Sequence, residues 1–316
     1  MVLDSSPDLG TVVNNNDGTF TFTLADDFTF LGTGDYEDTF FNYTATDGLD
    51  IQTGTIALIV EGDDGEFISY ESSNSADFYL WDGLLDISQE TYALTHGWRS
   101  NGVTDKDWID LAKSIKDYSP HANIIFTDWT ELAGNLNYWE SADDTETVGQ
   151  ELATFLDQLD VDPATTTLIG HSLGSHVSGV AGDTYDDITG NSPFRAIVGL
   201  DPAGPDFEDG ARGISKRLDP TDADRVVAFH SSPTLGYDGQ LGDVDLYLNW
   251  SDSLDIISHQ PGESSFFGNH GYPIELLSSL YQGSSYPQTN NGAIFDYNEV
   301  LNLASGSYDI STLAQV

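Results

Sequence analysis

The chain has 316 residues, no cysteine, and 53 acidic against 9 basic residues, which gives a net charge of −44. This charge argues against nucleic-acid binding, because phosphate contacts need lysine and arginine. No apolar run approaches the roughly 18 residues of a membrane-spanning segment. Hydrophobic residues form 39% of the chain, enough for a core, and the length allows one large domain with a small one.

The first 65 residues have the pattern of a small β domain. Alternating apolar and polar residues predict a half-buried strand at Gly18–Thr23. Two more strands are predicted at Thr39–Thr46 and Thr53–Val60, with a turn at Asp47-Gly48 between them. Residues 61–65 have the composition of a linker. We therefore predict domains at residues 1–65 and 66–316.

From residue 66 onward strands and helices alternate, which predicts an α/β domain with a mostly parallel sheet covered on both faces. Thr91–Thr95 is predicted as a strand. Apolar residues at helical spacing predict helices at Thr104–Tyr118 and Thr145–Leu159, and a later helix is predicted at Tyr272–Tyr281. These apolar stripes are interpreted as core.

Residues 170–174 read Gly-His-Ser-Leu-Gly, the G-x-S-x-G pattern of a nucleophile elbow. A β-branched run precedes it and a small-residue helix pattern follows. Glycines flank the serine because a Cβ there would collide with the neighbouring strand or helix. Ser172 is the candidate nucleophile, and the N–H of Leu173, at a helix start, is a candidate oxyanion donor. Because any loop can contain such a pattern, assigning Ser172 as a nucleophile also requires an acid and a base later in the chain.

In α/β-hydrolases the chain order is Ser, then Asp or Glu, then His. Asp201 ends an apolar strand and precedes a Pro/Gly-rich turn, although alone it would be interpreted as a turn-initiating aspartate. Three later histidines compete for the base: His230 in a predicted strand, His259 in a polar loop, and His270 just before a predicted helix. A base must reach the serine from a loop above the sheet, so His270 fits best.

Several segments, in order along the chain, resemble the pancreatic-lipase family of secreted α/β-hydrolases, which includes phospholipases A1. These segments are His96-Gly97-Trp98, Asp128-Trp129, Gly170–Gly174, Gly199–Ala203, Arg217–Ala223, Gln260-Pro261-Gly262 and Asn269-His270. The resemblance covers about residues 66–282. It implies Ser172 as nucleophile, Asp201 as acid and His270 as base, with an oxyanion hole formed by the N–H groups of Trp98 and Leu173.

The resemblance also implies a structural calcium ion, while the chemistry itself requires no cofactor. Asp219 and Asp222 match the family's carboxylate ligands, and Arg217 matches a ligand that binds through its backbone carbonyl. Oxygen-only ligation suits Ca²⁺. The alternative interpretation of this segment is a solvated acidic turn.

The chain has no cysteine, whereas the animal members of that family are cross-linked by disulfide bonds. Only the seven residues Glu263–Asn269 separate Gly262 from His270, too few for a helical lid. We therefore expect Ser172 in an open cleft with little activation by lipid interfaces. A lipid-contacting C-terminal β-sandwich is not expected, because the chain ends at Val316.

The resemblance implies a secreted ester hydrolase acting on lipids, either a triacylglycerol lipase or a phospholipase A1. Residues 1–65 resemble part of a VCBS-type or cadherin-like bacterial Ig-like repeat, which points to a larger secreted or surface protein of bacterial origin. No secretory signal is visible in Met1–Asp17. Two alternatives stay open: an adhesion or matrix module with an inactive hydrolase domain, and a non-lipid esterase or thioesterase.

Overall fold

The structure is a computed structural model, and it describes residues 1–24, 28, 31, 36–46, 49–61, 65–208, 212–250, 260–283, 287–289 and 297–312. The chain divides into two compact units, Met1–Gly65 and Glu66–Val316. His259, the predicted turn at Asp47-Gly48 and residues 62–64 of the predicted linker lie outside the described residues.

The first unit contains two small antiparallel sheets. Its strands are β1 (Val2–Leu3), β2 (Thr11–Asn14), β3 (Phe20–Thr23), β4 (Tyr36–Thr46) and β5 (Ile51–Glu61). One sheet has the order β1-β4-β5, and the other pairs β2 with β3. The rings of Phe20 and Phe41 meet edge to face with centroids 5.3 Å apart, so the apolar sides of the two sheets share a small core.

The second unit is built on a ten-stranded sheet. Its strands are β6 (Phe67–Ser72), β7 (Asp77–Trp81), β8 (Thr91–Thr95), β9 (Asn123–Asp128), β10 (Thr166–His171), β11 (Ala196–Leu200), β12 (Val226–His230), β13 (Val244–Leu248), β14 (Gln288–Thr289) and β15 (Gly306–Ser311). The spatial order is β14-β15-β13-β12-β11-β10-β8-β9-β7-β6. In this spatial order the seven strands from β15 to β9 run parallel to one another. Among the described strands of this sheet, antiparallel pairs occur only near its two edges. The predicted mostly parallel sheet is confirmed.

The strand order reverses direction between β8 and β10. From β8 the chain moves outward to β9, then returns to β10 and proceeds the other way through β11, β12 and β13. Such a switch point leaves a crevice at the carboxyl ends of the strands, where ligands bind in open α/β sheets. The turn after β10 carries Ser172, so the candidate nucleophile lies at this crevice.

Helices cover both faces of the sheet. They are α1 (Lys106–Tyr118), α2 (Thr130–Ala133), α3 (Tyr138–Gln158), α4 (Leu173–Thr189), α5 (Phe266–Tyr281) and α6 (Tyr297–Val300). One buried apolar cluster lies under α3 and α4, and a second lies under α1 and α5. Within the described ranges, no helix has both the length and the apolar character needed to cross a bilayer.

The helix that carries His270 begins earlier than the sequence predicts. The predicted start at Tyr272 is wrong, because Ser265 caps the helix: its Oγ accepts the amide N–H of Gly268 at 3.1 Å. Pro273 therefore lies inside the helix and cannot donate to the carbonyl of Asn269. The hydroxyl of Ser231 donates to that carbonyl instead, at 2.7 Å. His270 is thus on the second turn of α5 and not on a loop.

Candidate active site

The turn between β10 and α4 holds Ser172 in a strained conformation. Its φ of 55° and ψ of −123° lie outside the regions that L-residues ordinarily adopt. Backbone hydrogen bonds fix the turn: the N–H of Ser172 donates to Leu200 at 3.0 Å, and its carbonyl accepts from Ala203 at 3.2 Å. A Cβ on Gly170 would overlap the carbonyl of Gly174, which explains the glycine there.

We expect Gly170→Ala to destabilise the protein by about 3 kcal/mol, because the added methyl group meets backbone atoms that cannot move without distorting the elbow. Gly271→Ala is the matched control, since no heavy atom lies within 4 Å of its ideal Cβ, and alanine favours a helix by about 1 kcal/mol over glycine. Urea unfolding of both variants measures the difference. Equal stability of the two would contradict this account of the elbow.

Asp201 follows β11 with a φ of 45° and is fully buried. Its Oδ1 accepts the amide N–H groups of Ser231 at 2.6 Å and Ser232 at 3.1 Å. Its Oδ2 lies 2.5 Å from Nδ1 of His270. Because the carboxylate is held from one side by two amides, its other oxygen has a fixed direction toward the imidazole.

The His270 side chain is 12% exposed, and contacts with the elbow orient it. Nε2 of the adjacent His171 donates to the carbonyl of His270 at 2.8 Å, and the two ring centroids are 4.7 Å apart. Desolvation of the ring, together with the nearby His270, lowers the pKa of His171 to about 3. His171 therefore stays neutral and acts as a hydrogen-bond donor. The elbow, Asp201 and His270 meet at the carboxyl edge of the sheet.

The competing candidate His230 and the buried His176, which flanks the elbow, have other partners. His230 is fully buried at the end of β12, and its Nε2 lies 2.9 Å from Oδ1 of Asp245. His176, also buried, contacts the carbonyl of Ala203 through Nε2 and accepts the N–H of Leu218 at Nδ1. Burial lowers the pKa of His176 to about 3. Neither ring contacts Asp201 through a described hydrogen bond, whereas His270 does.

The loop after β8 packs against the nucleophile. A Cβ on Gly97 would lie 2.7 Å from the Cβ of Ser172, so this backbone passes directly over the serine. Trp98 follows, and its indole N–H donates to the carbonyl of Asn135 at 2.8 Å. The ring of Trp98 meets Tyr138 edge to face at 5.4 Å. These contacts fix the backbone at the residue predicted to supply one oxyanion donor.

His96 and Asp128 anchor the same loop from below. Nε2 of the buried His96 accepts the N–H of Trp129 at 3.0 Å, and a carboxylate oxygen of Asp128 accepts the N–H of Val103 at 2.9 Å. Burial alone would raise the pKa of Asp128, but hydrogen bonds from Thr130 and Val103 hold it below its usual range. Asp128 therefore stays charged and ties β9 to the loop.

Comparison with known proteins identifies the family. The family model described as Lipase matches residues 80–262, which include the elbow and Asp201. The chain belongs to the lipase family. It is 33% identical over 230 residues to a phospholipase A1 of Polybia paulista, an alignment covering 68% of this chain and 67% of the relative.

Other relatives of this lipase-family chain carry names of both phospholipases and lipases. It is 38% identical over 193 residues to a phospholipase A1 of Vespa crabro, covering 55% of this chain and 62% of the relative. It is 37% identical over 173 residues to the lipoprotein lipase of Sus scrofa, covering 51% and 34%. The chain thus spans only part of the length of these relatives.

Among solved structures, the chain resembles Thermogutta terrifontis esterase 2 phosphonylated by cyclosarin. The identity is 14%, the TM-score is 0.36, and the match covers 54% of this chain and 73% of that one. The resemblance is remote, and the α/β class of this lipase-family chain follows from its own strand order.

The turn at Asp219 and Asp222 brings two buried carboxylates together beside α4. Oδ2 of Asp222 accepts the N–H of Asp219 at 2.8 Å. Burial, and then the charge of Asp219, raises the pKa of Asp222 to about 9. The guanidinium of the neighbouring Arg217 donates to the carbonyl of Leu218. Within the described residues, no group of three or more His, Cys, Asp or Glu side chains could hold a metal ion, so any site here also needs backbone oxygens.

Proposed function

We propose that this lipase-family chain hydrolyses carboxylic esters of lipids, as a triacylglycerol lipase or phospholipase A1, with Ser172, His270 and Asp201 as its triad. The observation that carries the proposal is the 2.5 Å hydrogen bond between His270 and Asp201 beside the strained turn of Ser172. Ser172 also lies at the switch point of the sheet, where ligands bind in open α/β sheets.

In the proposed reaction Oγ of Ser172 attacks the ester carbonyl while Nε2 of His270 takes the hydroxyl proton. Nδ1–H of His270 donates to Asp201 throughout, so Nε2 keeps a lone pair for this proton. The imidazolium then gives the proton to the departing alcohol, which leaves an acyl-Ser172 ester. Water, deprotonated at Nε2, then attacks this ester, and the imidazolium returns the proton to Oγ of Ser172 as the fatty acid leaves.

The negative charge on the carbonyl oxygen needs two hydrogen-bond donors. We assign the N–H of Leu173, the first residue of α4, and the N–H of Trp98, on the loop that crosses Ser172. Each such donor stabilises the transition state by about 3 kcal/mol. The hydrogen bonds of Trp98, His96 and Asp128 support this role because they hold the loop before substrate arrives.

The short segment before His270 favours substrates that do not require a helical lid to move. Ser265 caps α5 only three residues after Gly262, with Glu263 and Ser264 between them, so we propose phospholipids, galactolipids and soluble esters over emulsified triglyceride. A panel of p-nitrophenyl butyrate, phosphatidylcholine, triolein and a peptide tests this proposal. Turnover of the peptide alone, or no label from a fluorophosphonate at Ser172, would refute the lipid-esterase assignment.

We also propose that Asp219, Asp222 and the backbone carbonyl of Arg217 bind a structural calcium ion. Burial, and then the charge of Asp219, raises the pKa of Asp222, and a divalent cation with oxygen ligands would offset the cost of two buried negative charges. The ion would stabilise the turn beside α4 and would take no part in the ester chemistry.

Calcium at about 100 times its dissociation constant should stabilise the folded chain by about 2.7 kcal/mol. We expect the thermal midpoint of the metal-free protein to rise on adding calcium, and Asp222→Asn to remove most of that rise. Asp183→Asn, on the neighbouring α4 but outside the proposed ligand set, is the control and should keep it. A rise that survives in Asp222→Asn would place the calcium elsewhere.

We propose, finally, that residues 1–65 form part of an Ig-like repeat of an extracellular bacterial protein, with the esterase in residues 66–316. Two small antiparallel sheets and the division of the chain after Gly65 support this arrangement. The names of the relatives, phospholipase A1 and lipoprotein lipase, concern lipid substrates.

A further inference from the structure

A second histidine–aspartate pair lies next to the proposed triad but takes no part in the proposed reaction. His230, at the end of β12, and Asp245, in β13, are both buried. Nε2 of His230 lies 2.9 Å from Oδ1 of Asp245, and Nδ1 lies 2.8 Å from the carbonyl oxygen of Tyr237. The ring also stacks on Tyr247 with centroids 4.5 Å apart, so its orientation is fully determined.

The hydrogen-bond partners of His230 hold the ring from two sides. A carbonyl oxygen can only accept, so Nδ1 carries a proton toward Tyr237. On the other side Nε2 shares a hydrogen bond with Oδ1 of Asp245, and that oxygen also accepts the N–H groups of Leu241 at 2.9 Å and Gly242 at 3.3 Å.

His230 directly precedes the loop 231–237 and is hydrogen-bonded to the carbonyl of its last residue, Tyr237. This loop encloses the carboxylate of Asp201. The first two residues of the loop, Ser231 and Ser232, donate their N–H groups to Oδ1 of Asp201. Near its other end, a Cβ on Gly236 would lie 2.5 Å from the same oxygen. The N–H of Tyr237 then donates to the carbonyl of Pro202 at 2.7 Å.

We infer that His230 is a positioning residue for Asp201: its ring, held by Asp245, closes the loop 231–237 around the carboxylate and so fixes the direction of the Asp201–His270 hydrogen bond. This inference rests on the proposed function, in which Asp201 orients the catalytic imidazole. The link runs through the hydrogen bond from Nδ1 of His230 to Tyr237, seven residues further along the chain.

Two variants separate the two hydrogen bonds of the ring. The amide nitrogen of His230→Asn replaces Nδ1 and can still donate to Tyr237, whereas that of His230→Gln replaces Nε2 and can donate only to Asp245. We expect His230→Gln to lower kcat on p-nitrophenyl butyrate about 100-fold, the loss typical of a small displacement of catalytic groups, with KM unchanged. His230→Asn should retain kcat within a few-fold. Rates are taken per site titrated with a fluorophosphonate.

If either single variant does not fold, the same comparison is made in an Asp245→Asn background, which removes the unpaired buried charge and keeps an acceptor oxygen. Equal kcat in the two variants would overturn the inference, because a merely structural role would lower stability without distinguishing them. If the wild type is not labelled at Ser172, the proposed function fails instead, and that result is separate.

The hydrogen bond from Nδ1 is tested on the unaltered protein. In ¹⁵N-histidine-labelled wild type, the Nδ1–H proton of His230 should be observed in slow exchange with water, with a resonance that disappears in His230→Gln. A His230 ring without a proton on Nδ1 would overturn the inference. This measurement needs no substrate, so it tests the link to Tyr237 whatever the activity.

Discussion

Replacing Ser172 by alanine is expected to lower ester turnover by about 10⁵- to 10⁶-fold, the loss typical of removing a serine nucleophile. The fold should survive, because the turn is held by the backbone N–H and carbonyl of Ser172 and not by a capping bond of its side chain. Hydrolysis of p-nitrophenyl butyrate measures the loss, and thermal unfolding measures the fold.

Ser178→Ala provides the matched control for this experiment. Ser178 is another buried serine, two turns into α4, and its hydroxyl donates to the carbonyl of Gly174 at 3.0 Å. We expect the Ser178→Ala variant to keep most of the activity and to be labelled by a fluorophosphonate. A Ser172→Ala protein that still accepted the label, or that kept more than about 1% of wild-type turnover, would show that another residue is the nucleophile.

Asp201→Asn should lower kcat by about 10⁴-fold through the wrong imidazole tautomer. The N–H groups of Ser231 and Ser232 point at the Oδ1 position, so the asparagine carbonyl must occupy it. The amide NH₂ then faces His270 and requires Nδ1 to accept. The proton moves to Nε2, which can no longer take the proton of Ser172.

Asp162→Asn is the control for this substitution. Asp162 also accepts a backbone N–H, that of Ala164 at 3.0 Å, but it precedes β10 and lies at the edge of the sheet opposite Ser172. The kcat of the Asp162→Asn variant should match that of the wild type. Retention of more than about a tenth of wild-type kcat in a folded Asp201→Asn protein would contradict the proposed acid, since the expected loss is about a thousand times greater.

The elbow could be predicted from the sequence because its determinants are local. Gly170 and Gly174 must lack side chains, and a strand must end where a helix begins, so five residues carry the whole signal. The contacts that fix Asp201 could not be predicted in this way. Ser231 reaches it only because β11 and β12 are neighbours in register, a fact of tertiary pairing.

The start of α5 shows why local signals also mislead. Proline is favoured in the first turn of a helix, so Tyr272-Pro273 predicts a helix start. In the structure Ser265 caps the helix seven residues earlier, and the proline is accommodated because Ser231, from the loop after β12, donates to the carbonyl that the proline leaves without its helical partner. No sequence pattern near residue 270 indicates that Ser231 is the partner of this carbonyl. Helix α3 also begins before its predicted start, at Tyr138 and not at Thr145. Its first residue, Tyr138, packs on Trp98, which is distant in the sequence.

The proline in α5 has a consequence for anyone who wishes to make this protein more heat-resistant. Removing an interior proline from a helix is ordinarily a safe way to gain stability. Here a restored N–H at position 273 would compete with the hydroxyl of Ser231 for the carbonyl of Asn269. That carbonyl is one residue from His270, so selecting Pro273 variants for heat resistance would favour a more stable helix at the expense of the position of the proposed catalytic imidazole.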